Sequence, residues 1–314
     1  MTKISHRKVS VITPVFNGEK YIEDCIKSVL SQKYINIEHI IIDDCSNDST
    51  ECIIKKYPQI IYQKQDKLGA NIARNNGLKI STGSYIKFLD ADDILAVDAV
   101  EMQLKATSLI GDKEISYGYN EIFDDAGDSK TIRRMEDAAY SNKIVDLLLR
   151  NIVTSLPLYP RSALDAINGF DERLIARQEW NLNLRLSLSG YKFKYCDVLT
   201  YKQREHNGIN RISNRLMNPI KEYENLKIAI APFLDMQDQD VTNAVATYVW
   251  GVGRQFILKG QAKDAGLFFD YAKKISPGGY NEYFSGKYRL FQRFFKPELI
   301  DLFYKRILYF KILT

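Results

Sequence analysis

The sequence predicts an α/β fold: a mainly parallel sheet flanked by helices, followed by a C-terminal helical region. Three observations carry this prediction. Short β-branched runs alternate with helical periodicities in the first third of the chain. The connections between them are short, as in a layered α/β unit. Past Asn214 the strand patterns stop and only helical recurrences remain.

Val9 to Thr13 is a β-branched run ending at Pro14, and it makes a first strand. Asn17-Gly18 turns the chain into a helix from Tyr21 to Gln32, with Ile22, Ile26, Val29 and Leu30 on one face. Ile37 to Ile42 is a second strand, closed by Asp43 and Asp44. Asn47 to Thr50 offers N-caps for a helix that runs to Tyr57 and stops at Pro58. Ile60 to Gln63 is a third strand, Ala70 to Ile80 a helix, and Thr82-Gly83 a turn into a fourth strand.

That fourth strand begins the stretch Ser84 to Asp93, read Ser-Tyr-Ile-Lys-Phe-Leu-Asp-Ala-Asp-Asp. Its apolar residues fit a buried strand that runs straight into Asp90, Asp92 and Asp93. Carboxylates gathered there repel one another and are costly to desolvate, a cost that a divalent cation would remove. Oxygen-only ligands suit Mg²⁺ or Mn²⁺. A solvated Asp-rich turn is the other reading of the same residues. Ligands of open α/β sheets sit beyond the carboxyl ends of the strands. Pro14 to Asn17, Asp43-Asp44 and Asp90 to Asp93 all fall at such ends and converge on one crevice.

Composition sets limits. With 314 residues, 45% of them hydrophobic, the chain can bury a substantial core. Four cysteines without C-x-x-C spacing read as reduced cytosolic thiols. The N-terminus has no apolar h-region, and no run approaches the roughly 20 apolar residues of a membrane span. The formal net charge of +5 lies in residues 287–314, with seven Lys or Arg against two acids. The remainder holds 37 basic and 37 acidic residues, which argues against a nucleic-acid-binding body. Neither G-x-G-x-x-G nor G-x-x-x-x-G-K-[ST] is present, which disfavours a dinucleotide site and removes the P-loop enzymes.

Several segments together resemble the inverting family 2 nucleotide-sugar glycosyltransferases, which have the A-type glycosyltransferase fold. They are Val9 to Asn17, Ile40 to Thr50, Gly69, Ala73-Arg74-Asn75-Asn76-Gly77 and Phe88 to Asp93. Their order and spacing both fit. The resemblance implies transfer of a sugar from a nucleotide-sugar donor, a UDP-sugar in the first instance, to a saccharide or lipid-linked saccharide hydroxyl. Bacterial surface-polysaccharide synthesis is the setting it implies.

By that resemblance Asp44 accepts the N3–H of a uracil ring, Pro14 and Phe16 wall the base, and Asn17 shapes the turn beneath it. The other reading of Asp43 and Asp44 is capping of a helix N-terminus. Arg74 bridges the nucleotide side and the acidic loop, or simply neutralises Asp90. Asp92 is the metal ligand, while Asp90 serves the ribose or orients the site.

The second half resembles the acceptor side of such enzymes. A helix is expected around Val97 to Ser108, a strand from Glu114 to Phe123, a hairpin turn from Asp124 to Lys130 and a short helix from Lys143 to Arg150. Arg177-Gln178-Glu179-Trp180 leads into a helix, Asn181 to Ser189, ended by Gly190. The family pattern has two acids here; this chain has Gln178 and then Glu179. Glu179 resembles the catalytic base, and a first-turn acid favoured by the helix dipole is the alternative. Lys194 to Tyr201 is a last strand. His206 after it resembles a residue placed near the diphosphate or at the metal, or it is a structural hydrogen-bonder. Arg204 serves the diphosphate or lies at the surface.

These patterns predict a catalytic domain over 1–214, with a nucleotide-binding half (1–110) and an acceptor half (111–214), and a helical region over 215–314. Helices are expected over Glu222 to Ala231 (stopped by Pro232), Val241 to Leu258 and Ala262 to Ile275. In the tail, eight aromatics interleave with the seven basic residues, a composition suited to anionic lipid. That places the enzyme in the cytoplasm, with peripheral contact at the inner face of the membrane. Packing of the tail on the body or on a second subunit is the alternative. Two rival functions are a non-catalytic nucleotide-sugar-binding scaffold and a sugar-phosphate nucleotidyltransferase, the latter distinguished by release of pyrophosphate.

Overall fold

The computed structural model describes residues 7–134, 144–205, 218–280, 284 and 289–290. Contacts divide the chain into two units, one of residues 1–143 and 151–208, the other of 144–150 and 209–314. The expected boundary at 214, His206 and all but two residues of the 287–314 tail lie outside the described residues.

The first unit opens with β1 (Val9–Val15), α1 (Ile22–Leu30), β2 (Ile37–Asp43), α2 (Thr50–Ile54), β3 (Ile61–Lys64), α3 (Ala70–Ile80) and β4 (Tyr85–Phe88). Strands β3, β2, β1 and β4 lie side by side, all parallel. Every residue of β1 is buried, which is why it reads as a nearly continuous apolar run rather than an alternation. Its two hydroxyls find partners: Ser10 donates to Glu38 (2.6 Å), and Thr13 pairs with His39 (3.0 Å).

The second half of this unit contains β5 (Ile94–Leu95), α4 (Ala99–Thr107), β6 (Glu114–Asp124) and β7 (Ser129–Arg133). In the other unit, α5 (Ile144–Leu149) packs on the long helix described below. The first unit then resumes with β8 (Pro157–Pro160), α6 (Arg161–Ala166), α7 (Gln178–Leu188) and β9 (Lys192–Glu205). The sheet continues past β4 through β8, β6 and β9 to β5, with β7 paired outside β6. Here only β6 and β9 are parallel; the pairs β4–β8, β8–β6, β9–β5 and β6–β7 are antiparallel. The parallel pattern expected from the first half therefore changes at β8.

The second unit is helical: besides α5 it holds α8 (Pro219–Leu234), α9 (Gln239–Leu258) and α10 (Ala262–Ile275). Asn218 and Asp238 cap α8 and α9 by accepting two backbone N–H bonds each. Trp250 is buried against Phe269 and Tyr280, with ring centroids 4.4 and 4.5 Å away. Pro232 does not stop α8, which runs on to Leu234. A proline this close to a helix end removes one bond from the last turn and can be carried there. No helix among the described residues is long and apolar enough to cross a membrane.

Candidate active site

The carboxyl ends of β1, β2 and β4 carry the residues singled out in the sequence. Asn17 sits in the left-handed region (φ 50°), accepts from the Asn47 N–H (3.0 Å) and donates its own N–H to Ser46 Oγ (2.9 Å). It thus locks the turn after β1 onto the turn after β2. Pro14 is buried within β1, in register with Ile42, and Phe16 is the exposed member of the expected pair. The Lys67 ammonium lies 4.0 Å from the Phe16 ring centroid.

Asp44 is 7% exposed, and its carboxylate is heavily used. Oδ1 accepts from Gln65 Nε2 (2.8 Å), Leu68 N (2.8 Å) and Gly69 N (2.9 Å), while Oδ2 shares the Gly69 N–H (3.0 Å). Gly69 is the N-cap of α3, so Asp44 holds the entry to that helix, and acceptor capacity remains only on Oδ2. Asp43 is fully buried and accepts from Ser46 N and the Tyr62 hydroxyl.

α3 is the hub. Asn71, Arg74 and Asn75 share one face by their i, i+3, i+4 spacing, and all three are buried. Asn71 Nδ2 donates to the Asp171 and Leu174 carbonyls. Asn75 bonds both the N–H and the carbonyl of Phe170 (2.9 Å each) and donates to Glu172 Oε1 (2.9 Å). Arg74 Nη2 donates to Asp90 Oδ1 at 2.8 Å, and Nη1 reaches Gln178 Oε1 at 3.4 Å. One guanidinium thus touches both the acidic loop after β4 and the first residue of α7. The Asp90 contact is the neutralising reading of Arg74, and the second contact runs to α7.

Glu179 follows Gln178 in the first turn of α7, which opens from Arg177 in the left-handed region (φ 61°). Its Oε1 accepts from Asn151 Nδ2 at 3.1 Å. The far end of α7 is closed by Gly190 (φ 86°), with Tyr191 N bonded to Leu186 O and Gly190 N to Ser187 O. Asp90 is 45% exposed at its side chain, and no described residue bonds its Oδ2. Asp93 is buried and accepts from Arg204 N (3.0 Å).

Arg204 is not a surface charge. It is buried between the rings of Tyr21 and Phe123, at 4.9 and 4.6 Å, and it donates to the Asp92 carbonyl and to Asp24. It therefore clamps the acidic loop from behind. Sequence reasoning missed this role, and it missed Asn151, Asn71 and Asn75. The signal for the last two was a polar trio at helical spacing on a helix expected to bury its face.

The model for glycosyl transferase family 2 matches residues 10–162. An uncharacterized glycosyltransferase of Rickettsia typhi is 32% identical over 226 residues, 69% of this chain and 70% of that protein. The chain belongs to glycosyl transferase family 2. It is a glycosyltransferase, and solved structures share its fold. S. aureus TarS in complex with UDP-GlcNAc superposes with a TM-score of 0.65 at 19% identity, covering 87% of this chain and 89% of that one. The mannosyltransferase PcManGT of Pyrobaculum calidifontis, in complex with GDP-Man and Mn²⁺, gives 0.55 at 16% identity, covering 96% and 87%. At these identities the likeness is one of fold.

A divalent cation fits the glycosyltransferase's donor set. Asp90 and Asp92 are partly exposed carboxylates just beyond β4, hard oxygen donors of the kind Mg²⁺ and Mn²⁺ take. Among the described residues no three His, Cys, Asp or Glu side chains gather into a metal cage. One or two protein carboxylates, with water and phosphate oxygens as the remaining ligands, is the arrangement that matches Mg²⁺.

Proposed function

We propose that this glycosyltransferase is an inverting, divalent-metal-dependent enzyme that moves a sugar from a UDP-sugar to an acceptor hydroxyl. The observation that carries the proposal is the Arg74 bridge, because it ties Asp90 and the first turn of α7 to a single guanidinium. The acidic loop and Glu179 then border one crevice.

In the reaction, Glu179 takes the proton of the acceptor hydroxyl as that oxygen attacks the anomeric carbon. The new carbon–oxygen bond forms on the face opposite the bond that breaks. The nucleoside diphosphate departs with the electron pair, and the anomeric configuration inverts. Asp44 selects the base through Oδ2, with Phe16 alongside and Asn17 holding the turn below. Arg74 keeps Asp90 oriented toward the donor. Asp92, with His206 by the sequence resemblance, would hold Mg²⁺ or Mn²⁺, which when bound would supply positive charge for the nucleoside diphosphate leaving group.

The acceptor is a saccharide or lipid-linked saccharide of a bacterial surface polysaccharide, met at the membrane by the basic aromatic tail, 287–314. That assignment rests on the sequence resemblance and the tail's composition. Liposome flotation with and without the tail tests it, and equal binding by both forms removes it.

The base assignment is tested with Glu179→Gln. A thermal-shift panel of nucleotide sugars, with and without Mn²⁺, first identifies the donor. The variant is expected to bind that donor as the wild type does and to lose transfer by about 10²–10⁴-fold. Transfer at the wild-type rate would refute the assignment.

A further inference from the structure

We propose that Asn151 is a positioning residue for Glu179, holding its carboxylate in one orientation. The inference deepens the proposed function and rests on the reading of Glu179 as the base.

Asn151 Nδ2 donates to Glu179 Oε1 at 3.1 Å. A carboxylate is acceptor-only, so the amide must turn its NH₂ to Glu179 and its carbonyl away. That carbonyl, Oδ1, is buried and bonds to nothing. A buried acceptor without a partner costs stability, a cost set against the bond to Glu179. What the residue gains at this position is its contact with Glu179.

The backbone around Asn151 is held firmly enough for the role. Asn183, four residues beyond Glu179 on the same face of α7, donates Nδ2 to the Ile152 carbonyl at 2.7 Å. Asn183 Oδ1 accepts from the buried Tyr159 hydroxyl (3.1 Å). Residues 151–152 and the first two turns of α7 therefore form one bonded unit. Glu179 and Arg74 both act on Tyr159. Burial first, and then the Glu179 charge, push the Tyr159 phenol well above its usual range, against a smaller opposing effect of Arg74.

The test is steady-state transfer by the full chain, with the donor that the thermal-shift panel identifies. Asn151→Ala is expected to lower kcat about tenfold while the donor KM and the melting temperature stay at the wild-type values, and Asn151→Gln, which keeps an N–H donor, to recover part of the loss. Wild-type kcat in Asn151→Ala would overturn the proposal, as would a loss of kcat that comes with a lower melting temperature and no recovery in Asn151→Gln. If Glu179→Gln loses transfer and Asn151→Ala does not, the positioning role alone falls; if Glu179→Gln keeps wild-type transfer, the base reading falls.

Discussion

Lys87 offers the sharpest physical test of the sheet that carries the site. It lies in β4, three residues before Asp90, and is fully buried. Its ammonium donates to Gln103 Oε1 (2.9 Å) and to the Leu156 and Pro157 carbonyls (3.2 and 3.5 Å), and no carboxylate among the described residues pairs with it. Burial lowers its pKa from 10.5 to about 7. Between those values the folded chain holds a neutral amine while the unfolded chain is protonated. Unfolding there takes up a proton, so stability rises with pH from about 7 to 10.5. At about 1.4 kcal/mol per pH unit the full span is worth roughly 5 kcal/mol, and the interval from pH 7 to 9 roughly 2–3 kcal/mol. Lys87→Met keeps most of the volume and removes the titration. Urea unfolding followed through Trp180, in a Trp250→Phe background, reads the first unit alone. The Met variant's advantage should be largest near pH 7 and shrink by roughly 2–3 kcal/mol by pH 9. His39, whose pKa burial lowers to about 3, contributes only below its ordinary range and leaves this window clean. Stability curves for wild type and Lys87→Met that run parallel from pH 7 to 9 would refute the reasoning.

Three further outcomes follow from the packing. In Gly118→Ala the new Cβ would stand 2.2 Å from the Val198 carbonyl oxygen and 2.7 Å from Thr200 Cγ2, so β6 and β9 must separate. A loss of about 3 kcal/mol is expected by chemical denaturation, and wild-type stability would count against the β6–β9 pairing. Arg204→Leu removes the side-chain bonds to the Asp92 carbonyl and to Asp24, while the backbone N–H to Asp93 stays. The loss should be about 2 kcal/mol, less than for a buried pair because the Asp24 side chain is 54% exposed. An unchanged melting curve would exclude the clamp. Asp44→Ala leaves the Leu68 and Gly69 N–H groups without their acceptor, so their amide hydrogen exchange should rise at least about tenfold. Unaltered exchange at both amides would show that the loop is held by something else.

How much was legible in the sequence varied along the chain for physical reasons. The span of α3, Ala70 to Ile80, agrees with the pattern residue for residue, as does that of α10, because local periodicity and punctuation agree there. β8 could not be read. It is four residues with proline at both ends, and it becomes a strand only by lying between β4 and β6. β5 is two residues long and exists through its pairing with β9. These two set the antiparallel half of the sheet, and no local propensity encodes them. Arg204 was misjudged for a related reason. Single charges are mostly exposed, and only the fold brings Tyr21, Phe123, Asp24 and the acidic loop around this one.

Gln178 shows why the site cannot be read one residue at a time. Against the family pattern it looks like a lost acid, and an acid there would place a second carboxylate on the Arg74 guanidinium already bonded to Asp90. The neutral amide accepts from Arg74 while leaving Asp90 as its charged partner, so the substitution weakens the tie electrostatically without severing it. The cost is held down by Asn71 and Asn75, which fix residues 170–174 to α3 with neutral bonds. The segment that leads into α7 is therefore held to α3 by neutral hydrogen bonds to its backbone. Such a connection is little screened by salt, whereas a surface pair would be.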